Sequence, residues 1–156
     1  MAADLEEGAD DQLAAMGKAP VFSPQDFDAL LKQGLPQAHR AGIRTREMAH
    51  GSITLTMPVS DDLLRPGGTV SGPAMFALAD VALYGAVLSA AGHILLAVTS
   101  NMNITFLRKP PPKPLVAHAR IIRLGRRLAY GEVTIHSEGE EDPVAHATGT
   151  YAIPQG

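Results

Sequence analysis

The residue with the clearest chemical potential in this chain is Asp80, the one charged side chain between Arg65 and Arg108. It lies in the middle of an apolar run, residues 72–88, with the composition of a buried segment. Burying a carboxylate costs several kcal/mol unless it is paired, hydrogen-bonded or protonated. A carboxylate in an apolar pocket can also be tuned as an acid or a base. We interpret Asp80 as a candidate catalytic carboxylate. The alternative is a structural carboxylate that accepts hydrogen bonds from a neighbouring strand or loop.

The start of the same run offers a second chemical group. Ser71 or Gly72 can cap a helix whose first residue is Pro73, and Gly92 can end that helix. A helix N-terminus presents unpaired N–H groups and the positive end of a dipole, which stabilise negative charge on a carbonyl oxygen under attack. Gly72 has no Cβ, so a substrate can approach its backbone closely. Taken alone, these residues would indicate only a turn and a cap.

The spacing of Gly72 and Asp80 constrains how they could work together. They are eight residues apart, so on one helix they are separated by about 12 Å along the axis. One carbonyl group cannot contact both. If both serve one site, Asp80 must come from a second subunit whose helix runs antiparallel, as a two-fold dimer provides. The spacing therefore predicts a composite site at a dimer interface.

Composition places the chain among globular proteins of one domain. It has 156 residues, 46% of them hydrophobic, a net charge of −3 and no cysteine, which excludes disulfides, thiolate nucleophiles and Cys-zinc sites. Residues 1–20 are acidic and non-periodic and predict a disordered tail; residues 21–156 form the predicted domain. No signal peptide is visible, so a cytoplasmic location is the expectation.

The apolar stretch from residue 69 to residue 98 is long enough to span a membrane. Glycines and a proline interrupt it, however, and Asp80 at mid-span would cost about 2.5–3.5 kcal/mol on insertion. We therefore predict a buried helix of a soluble domain, with no membrane partner.

Periodicity predicts two helices and several strands. Ser23 and Pro24 predict a helix over 24–33 that ends at Gly34, and the second helix runs from about Pro73 to residue 91. The predicted strands cover 38–48, 52–59, 95–107, 115–124, 128–137 and 143–153. The third of these carries apolar residues on one face and a polar face made of Thr99, Asn101, Asn103 and Thr105. One buried helix followed by a meander of strands predicts an α+β fold, an antiparallel sheet wrapped around a long central helix.

Several segments resemble one known family, the hotdog-fold thioesterases of the phenylacetate-pathway (PaaI-like) type. The family pattern is G-x-V-H-G-G followed by a helix that carries L-x-D, and residues 68–73 and 78–80 read GTVSGP and LAD. Residues 101–108, 122–127 and 147–151 resemble the family too, and the resemblance covers about 50–153. It implies the hotdog fold, a dimer or a dimer of dimers, and hydrolysis of acyl-thioesters with coenzyme A as part of the substrate and no cofactor.

The resemblance also implies roles for three residues. Asp80 stands where the family has its catalytic carboxylate, which acts as general base or nucleophile. Gly72 stands where a backbone N–H polarises the thioester carbonyl. Thr99 stands where a small hydroxyl residue helps to hold the attacking water. For Asp80 and Gly72 these expectations agree with the chemistry argued from the residues themselves. The role of Thr99 rests on the resemblance, and the alternative is a residue on the wetter face of a strand.

Three positions at the expected substrate site depart from the family pattern. Ser71 replaces the usual His, and Pro73, which has no N–H to donate, replaces the second Gly. Arg65 lies near the position where some relatives use Asn to orient water. Gly72 and Asp80 are intact, whereas the departures put the other contacts to the substrate in doubt.

A basic stretch provides candidates for the phosphates of coenzyme A. Arg108 and Lys109 end a predicted strand, and Arg126 and Arg127 lie at a predicted hairpin turn. Arginine and lysine bind phosphates well, and a solvated face is the alternative. Asn103 is a further candidate substrate contact, for which simple exposure on a strand is the alternative. Aromatic residues that would stack on bases do not accompany these charges, so a nucleic-acid partner is not expected.

The sequence therefore predicts a homo-oligomeric acyl-CoA thioesterase, a hydrolase for small or medium acyl groups, with aromatic ones among the candidates. A non-catalytic acyl-CoA-binding protein or regulator is the alternative from another class, which the departures at Ser71 and Pro73 keep open. Hydratase chemistry on thioesters usually needs a catalytic His near the acid, and Ser71 removes the obvious candidate. The six histidines show no metal-ligand spacing.

Overall fold

The structure is a computed structural model that describes residue 20 and residues 22–155. The predicted tail, apart from residue 20, lies outside the described residues. The described part contains three α-helices, one short 3-10 helix at Asp61–Leu63 and six β-strands. The helices are α1 (Pro24–Gly34), α2 (Pro36–Arg40) and α3 (Gly72–Ala91). The strands are β1 (Arg44–Ala49), β2 (Ser52–Met57), β3 (Val98–Phe106), β4 (Leu115–Leu124), β5 (Leu128–Ser137) and β6 (Pro143–Ala152).

The six strands form one antiparallel sheet in the order β1-β2-β4-β5-β6-β3. The long helix α3 packs against one face of this sheet. This arrangement is the hotdog fold of the α+β class, as predicted. The sequence placed five of the six strands close to their observed bounds, and three of them, β2, β5 and β6, alternate between a buried and a more exposed face as expected.

The first helix is fixed by its cap. The hydroxyl of Ser23 accepts a hydrogen bond from the N–H of Asp26 at 3.0 Å, and the Asp26 carboxylate accepts one from the Ser23 N–H at 3.2 Å. This reciprocal pair satisfies two donors at the helix start, and Phe27 and Leu31 bury one face of α1. The helix predicted over 24–33 is therefore confirmed.

The strand predicted over 38–48 is wrong in its first half. Residues Pro36–Arg40 form the short helix α2, and the strand begins only at Arg44. Pro36 occupies the first turn of α2, where its fixed φ suits a helix and its missing N–H is not needed. Gly42, at φ 83°, then turns the chain into β1.

The central helix α3 is apolar on nearly all sides, and the fold buries more than half of it. Twelve of its 20 residues are buried. Leu78, Leu83 and Leu88 are each 0% exposed, and burying each stabilises the fold by about 1.5–3 kcal/mol. Among the described residues α3 is the one helix long and apolar enough to span a membrane, yet 61% of its most apolar stretch is buried inside the protein.

Helix α3 lies close to the sheet because two glycines oppose each other beneath it. Gly131 of β5 pairs with Gly149 of β6, and a Cβ on either would lie 2.6–2.7 Å from a methyl carbon of Leu83. A Cβ on Gly131 would also lie 2.6 Å from the carbonyl oxygen of Arg120. Leu83 therefore occupies the space that two side chains would fill, and this close packing sets the height of α3 above β5 and β6.

A β-bulge in β3 corrects one prediction about the faces of that strand. The pairing of β3 with β6 shifts register between Thr99 and Asn101. Such an insertion changes which side successive residues face. Thr99 therefore contacts Asp80 of α3, on the side where Met102 and Ile104 pack against the core. Simple alternation had placed Thr99 on a polar face together with Asn101 and Asn103.

We predict that Gly131→Ala destabilises the protein, by about 1–3 kcal/mol, because the new methyl group collides with Leu83 and with backbone that cannot move aside. Gly34→Ala is the matched control, since a Cβ there meets only Leu30, at 3.9 Å. Chemical denaturation of both variants checks this prediction. Equal stabilities for Gly131→Ala and the unchanged protein would contradict the proposed role of the glycine pair.

Candidate active site

Asp80 sits on the third turn of α3, and its carboxylate is held by two hydroxyl groups. The Oγ1 of Thr99 donates a hydrogen bond to Oδ1 of Asp80 at 2.7 Å, and the hydroxyl of Tyr151 lies 2.6 Å from the same oxygen. The Tyr151 hydroxyl is also 3.0 Å from the backbone carbonyl oxygen of Asp80. These contacts explain how the helix tolerates a half-buried acid, since each replaces hydrogen bonds lost from water.

Two tyrosines form an aromatic pair beside this carboxylate. The rings of Tyr84 and Tyr151 are stacked, with centroids 5.9 Å apart and an interplanar angle of 24°. The Tyr84 hydroxyl donates to the carbonyl oxygen of Leu95 at 2.8 Å. Burial raises the pKa of Tyr84, and burial together with the negative charge of Asp80 raises the pKa of Tyr151 far above its ordinary value. Both hydroxyls therefore stay protonated and act as donors.

A cavity of about 560 Å³ opens beside Asp80. Its walls come from the end of α1, the middle of α3, the segment before β3 and the end of β6. Much of the lining is apolar, from Leu30, Leu35, Val81 and Leu95, and Asp80 is the one charged residue that residues 22–155 contribute to it. The site is thus an apolar chamber with a single carboxylate in its wall, a common form of small-molecule site.

The N-terminus of α3 presents one free amide. Ser71 is the N-cap, and its hydroxyl accepts a hydrogen bond from the N–H of Ala74 at 3.2 Å. Pro73 has no N–H. Within residues 22–155 the structure gives the N–H of Gly72, the first helical residue, no acceptor. The helix begins at Gly72 rather than at Pro73, a shift of one residue from the prediction.

Gly72 and Asp80 contact opposite ends of β3. A Cβ on Gly72 would lie 3.2 Å from the ring of Phe106 at the end of the strand, whereas Asp80 bonds Thr99 near its start. Within one chain the free amide and the carboxylate therefore do not meet, in agreement with the separation expected from their spacing on the helix.

The structure brings only some of the predicted site residues together. Thr99 meets Asp80, and Ser71, Gly72 and Pro73 form the helix start. Arg65 lies in an exposed turn, where its carbonyl oxygen accepts a hydrogen bond from the N–H of Gly68 at 3.1 Å. Asn103 is exposed on β3 between Met102 and Ile104, both of which pack against the core on the helix side. Asn103 therefore faces away from Asp80 of its own chain.

The four basic candidates lie at two separate corners of the sheet. Arg126 and Arg127 are exposed in the β4–β5 hairpin, where the carbonyl oxygen of Arg127 accepts from the N–H of Ile153 at 2.7 Å. Arg108 and Lys109 follow the far end of β3. Arg108 forms an ion pair with Glu140 at 3.2 Å.

One contact of the carboxylate was not identified from the sequence. Tyr151 lies in a segment that resembles the family, but nothing in the spacing linked it to Asp80, 71 residues away. The available signal was its position on the buried side of β6. Alternation along the strand indicates that Tyr151 points inward, but it does not indicate which residue Tyr151 contacts there.

Comparison with known proteins agrees with this fold. The family model of the thioesterase superfamily matches residues 67–144. A protein from Thermoplasma volcanium assigned as an esterase is 32% identical over 103 residues, which are 66% of this chain and 76% of that protein. The solved structure of a protein from Silicibacter sp. TM1040 assigned as a thioesterase is 44% identical, with a TM-score of 0.80 over 90% of this chain and 96% of that one.

A further solved structure is that of a mutant phenylacetic acid degradation protein PaaI from Thermus thermophilus. It is 28% identical, with a TM-score of 0.68 over 76% of this chain and 99% of that one. The chain belongs to the thioesterase superfamily, and its class of activity is thioester hydrolysis.

We predict that the protein loses stability above about pH 10, partly because Tyr151 stays neutral in the folded state and ionises in the unfolded state. A group whose pKa is raised by folding contributes stability that is complete below its ordinary pKa, here 10.0, and is lost as the pH rises. Tyr151→Phe should therefore show a shallower fall in the free energy of unfolding between about pH 10 and about pH 12. Urea denaturation across that range is the measurement, and equal slopes would contradict the prediction.

Proposed function

We propose that this protein is an acyl-CoA thioesterase in which Asp80 of one subunit and the Gly72 N–H of a second subunit act on one thioester. The observation that carries the proposal is the position of Asp80. Its carboxylate is anchored by hydroxyl groups at the wall of an otherwise uncharged cavity that could hold an acyl group.

The reaction needs a base and an acceptor for charge on oxygen. As general base, Asp80 takes a proton from water while the water oxygen bonds to the thioester carbon; the C–S bond then breaks, and the proton passes to the leaving thiolate. The products are a carboxylic acid and free coenzyme A. As nucleophile, Asp80 would instead attack the carbon itself and expel the coenzyme A thiolate as the C–S bond breaks. Water would then hydrolyse the resulting anhydride, which regenerates the Asp80 carboxylate and supplies the proton for the thiolate. Both routes place negative charge on the carbonyl oxygen, which an N–H donor stabilises.

The cavity supports a neutral, apolar acyl group as the substrate. Among the residues that the structure describes, no cation lines it, and its one charged group is Asp80. A carboxylate at the far end of an acyl chain would therefore lose its hydration with no partner, at a cost of several kcal/mol. A volume of about 560 Å³ suits a medium straight chain or an aromatic ring. Dicarboxylic acyl groups should be poor substrates.

The exposed edge of the sheet supports a homodimer. Strand β3 is an edge strand of nine residues, and its apolar side chains Val98 and Phe106 are 60% and 49% exposed. Leu96, just before the strand, is 79% exposed. A long edge strand with exposed apolar residues at both ends is a template for pairing with another strand, which natural monomers avoid. Edge-to-edge pairing of two β3 strands would extend the sheet across two subunits.

The register of such a pair would complete the site. If two β3 strands pair antiparallel about a two-fold axis near Met102, Val98 of one subunit faces Phe106 of the other. Gly72 packs against Phe106 of its own chain, so the partner's Gly72 would come beside Thr99 and Asp80. The free amide and the anchored carboxylate would then converge from two subunits.

The same register supports the proposed phosphate contacts. Val98 and Leu128 both pair with Ala152, so the hairpin that carries Arg126 and Arg127 lies near the start of β3. A two-fold pairing would bring the partner's Arg108 and Lys109 toward the same corner. Four cations would then flank the mouth of the cavity, and the phosphates of coenzyme A are groups that they can bind.

A binding protein without turnover is the second candidate. It is favoured by the helix start, where the Ser71 hydroxyl is used as a cap and Pro73 offers no N–H, so Gly72 is the sole donor in that turn free for a substrate. Tight binding of acyl-CoA without release of coenzyme A would support this alternative.

We expect Asp80→Asn to lower turnover of acyl-CoA by at least about 100-fold, because the amide can neither accept the proton nor attack the carbonyl. Release of free coenzyme A from straight-chain, aromatic and dicarboxylic acyl-CoAs measures this. Glu138→Gln, an exposed carboxylate in the β5–β6 turn, is the control and should retain full activity. Equal rates for Asp80→Asn and the unchanged protein would remove Asp80 from catalysis.

Mixed dimers test whether the site is shared. Gly72→Pro removes the proposed donor and should be inactive alone, as should Asp80→Asn. Refolding the two together produces mixed dimers in which one of the two sites has both groups intact, so about one quarter of full activity should return. If both groups served a site within one chain, mixing would restore nothing. Circular dichroism verifies that each variant folds, and Gly72→Ala, which keeps the N–H, should retain more activity than Gly72→Pro.

A further inference from the structure

We infer that Tyr151 is a positioning residue that, with Thr99, holds Oδ1 of Asp80 and thereby assigns Oδ2 as the reacting oxygen. The inference rests on the proposed function and goes beyond it, because it distinguishes the two oxygens of the carboxylate and adds a residue that contacts no reacting atom.

The hydrogen bonds of Asp80 are asymmetric. Thr99 and Tyr151 both reach Oδ1, at 2.7 Å and 2.6 Å. Across residues 22–155 the structure gives Oδ2 no hydrogen-bond donor. If both oxygens accepted hydrogen bonds equally, the carboxylate could be a purely structural group. Here the lone pairs of Oδ2 are not used by the described residues.

An aspartate side chain does not fix the orientation of its own carboxylate. Rotation about its Cβ–Cγ bond is broad and roughly two-fold, so without partners the two oxygens exchange places. Two donors converging on one oxygen remove this freedom. The reacting oxygen is then held in one position before substrate arrives, which is the condition for an effective base or nucleophile.

Tyr151 is well placed to impose this orientation because it is buried and closely packed. Its side chain is 4% exposed and stacks on Tyr84, and its backbone in β6 pairs with Thr99 on one side and Ala129 on the other. Since Thr99 and Tyr151 are direct cross-strand partners, their hydroxyls are fixed relative to each other by the ladder. The raised pKa of Tyr151, caused by burial and by Asp80, keeps its hydroxyl a donor.

This geometry also defines the task of Thr99. Its proton is committed to Oδ1, so its oxygen can act only as an acceptor toward the attacking water. A water molecule that donates one hydrogen bond to Thr99 and the other to Oδ2 would be oriented by both groups. The proton removed from this water goes to Oδ2 and later to the departing thiolate.

The inference is tested by comparing Tyr151→Phe in two backgrounds. In the otherwise unchanged protein we expect kcat to fall by about 10–100-fold with KM changed less than about 3-fold, because the ring stays and only the orienting bond is lost. In the Asp80→Asn background the same change should have no further effect on the residual rate, because Tyr151 acts through Asp80. Thr99→Val should behave like Tyr151→Phe, and Thr99→Ser, which keeps the hydroxyl, should restore most of kcat.

Tyr130→Phe is the matched control, since this tyrosine is 41% exposed on β5 and its hydroxyl does not contact Asp80. A kcat of Tyr151→Phe within about 2-fold of the unchanged protein would overturn the inference. An equal loss in both backgrounds would also overturn it, because it would show a merely structural role. If Asp80→Asn is inactive and the activity of Tyr151→Phe is unaffected, only the inference is refuted. Full activity of Asp80→Asn would refute the proposed role of Asp80 and the inference with it.

Discussion

The hydrogen bonds between the Asp80 carboxylate and the hydroxyls of Thr99 and Tyr151 are the interaction on which the arrangement of this molecule depends. A charged group on a helix that is otherwise buried would cost several kcal/mol without such partners. Supplying them requires that two strands far apart in sequence, β3 and β6, lie side by side under the same turn of α3. The order of the sheet and the position of the helix are therefore linked to one side chain.

Two local features bring the hydroxyls of Thr99 and Tyr151 within hydrogen-bond distance of Asp80. The glycine pair of β5 and β6 receives Leu83 and lets α3 approach the sheet closely. The bulge between Thr99 and Asn101 then turns Thr99 toward the helix. With a larger residue in place of either glycine, or with regular alternation through β3, the carboxylate would lose its short contacts to one or both strands. A polar site is thus built into the wall of an apolar core by small irregularities of backbone and packing.

Two features of the described chain have no partner within one subunit. The amide of Gly72 has no acceptor among the residues described, and the apolar edge of β3 is exposed. Pairing of two edges would cover the apolar surface and would bring the amide to the carboxylate of the neighbouring subunit. The same contact that would stabilise a dimer by burying apolar area would thereby assemble the proposed site, so activity and association would be coupled.

The sequence by itself determined most of the elements and singled out Asp80. Alternation located the strands, caps and prolines located the helices, and Asp80 was conspicuous because no other charge lies near it in an apolar run. These are local signals, readable from neighbouring residues. It also determined that Gly72 and Asp80 cannot meet on one helix, because the rise of an α-helix is fixed.

Only the tertiary structure decided which residues surround Asp80. Residues 38–40 lie in a helix where a strand was predicted, the bulge moved Thr99 to the other face, and Tyr151 comes from a strand 71 residues away. Arg108, a candidate phosphate contact, also forms an ion pair with Glu140. Each of these outcomes depends on strand register and on contacts between distant segments. A pattern along the chain carries no information about such contacts, because it records which face a residue occupies and not what lies opposite.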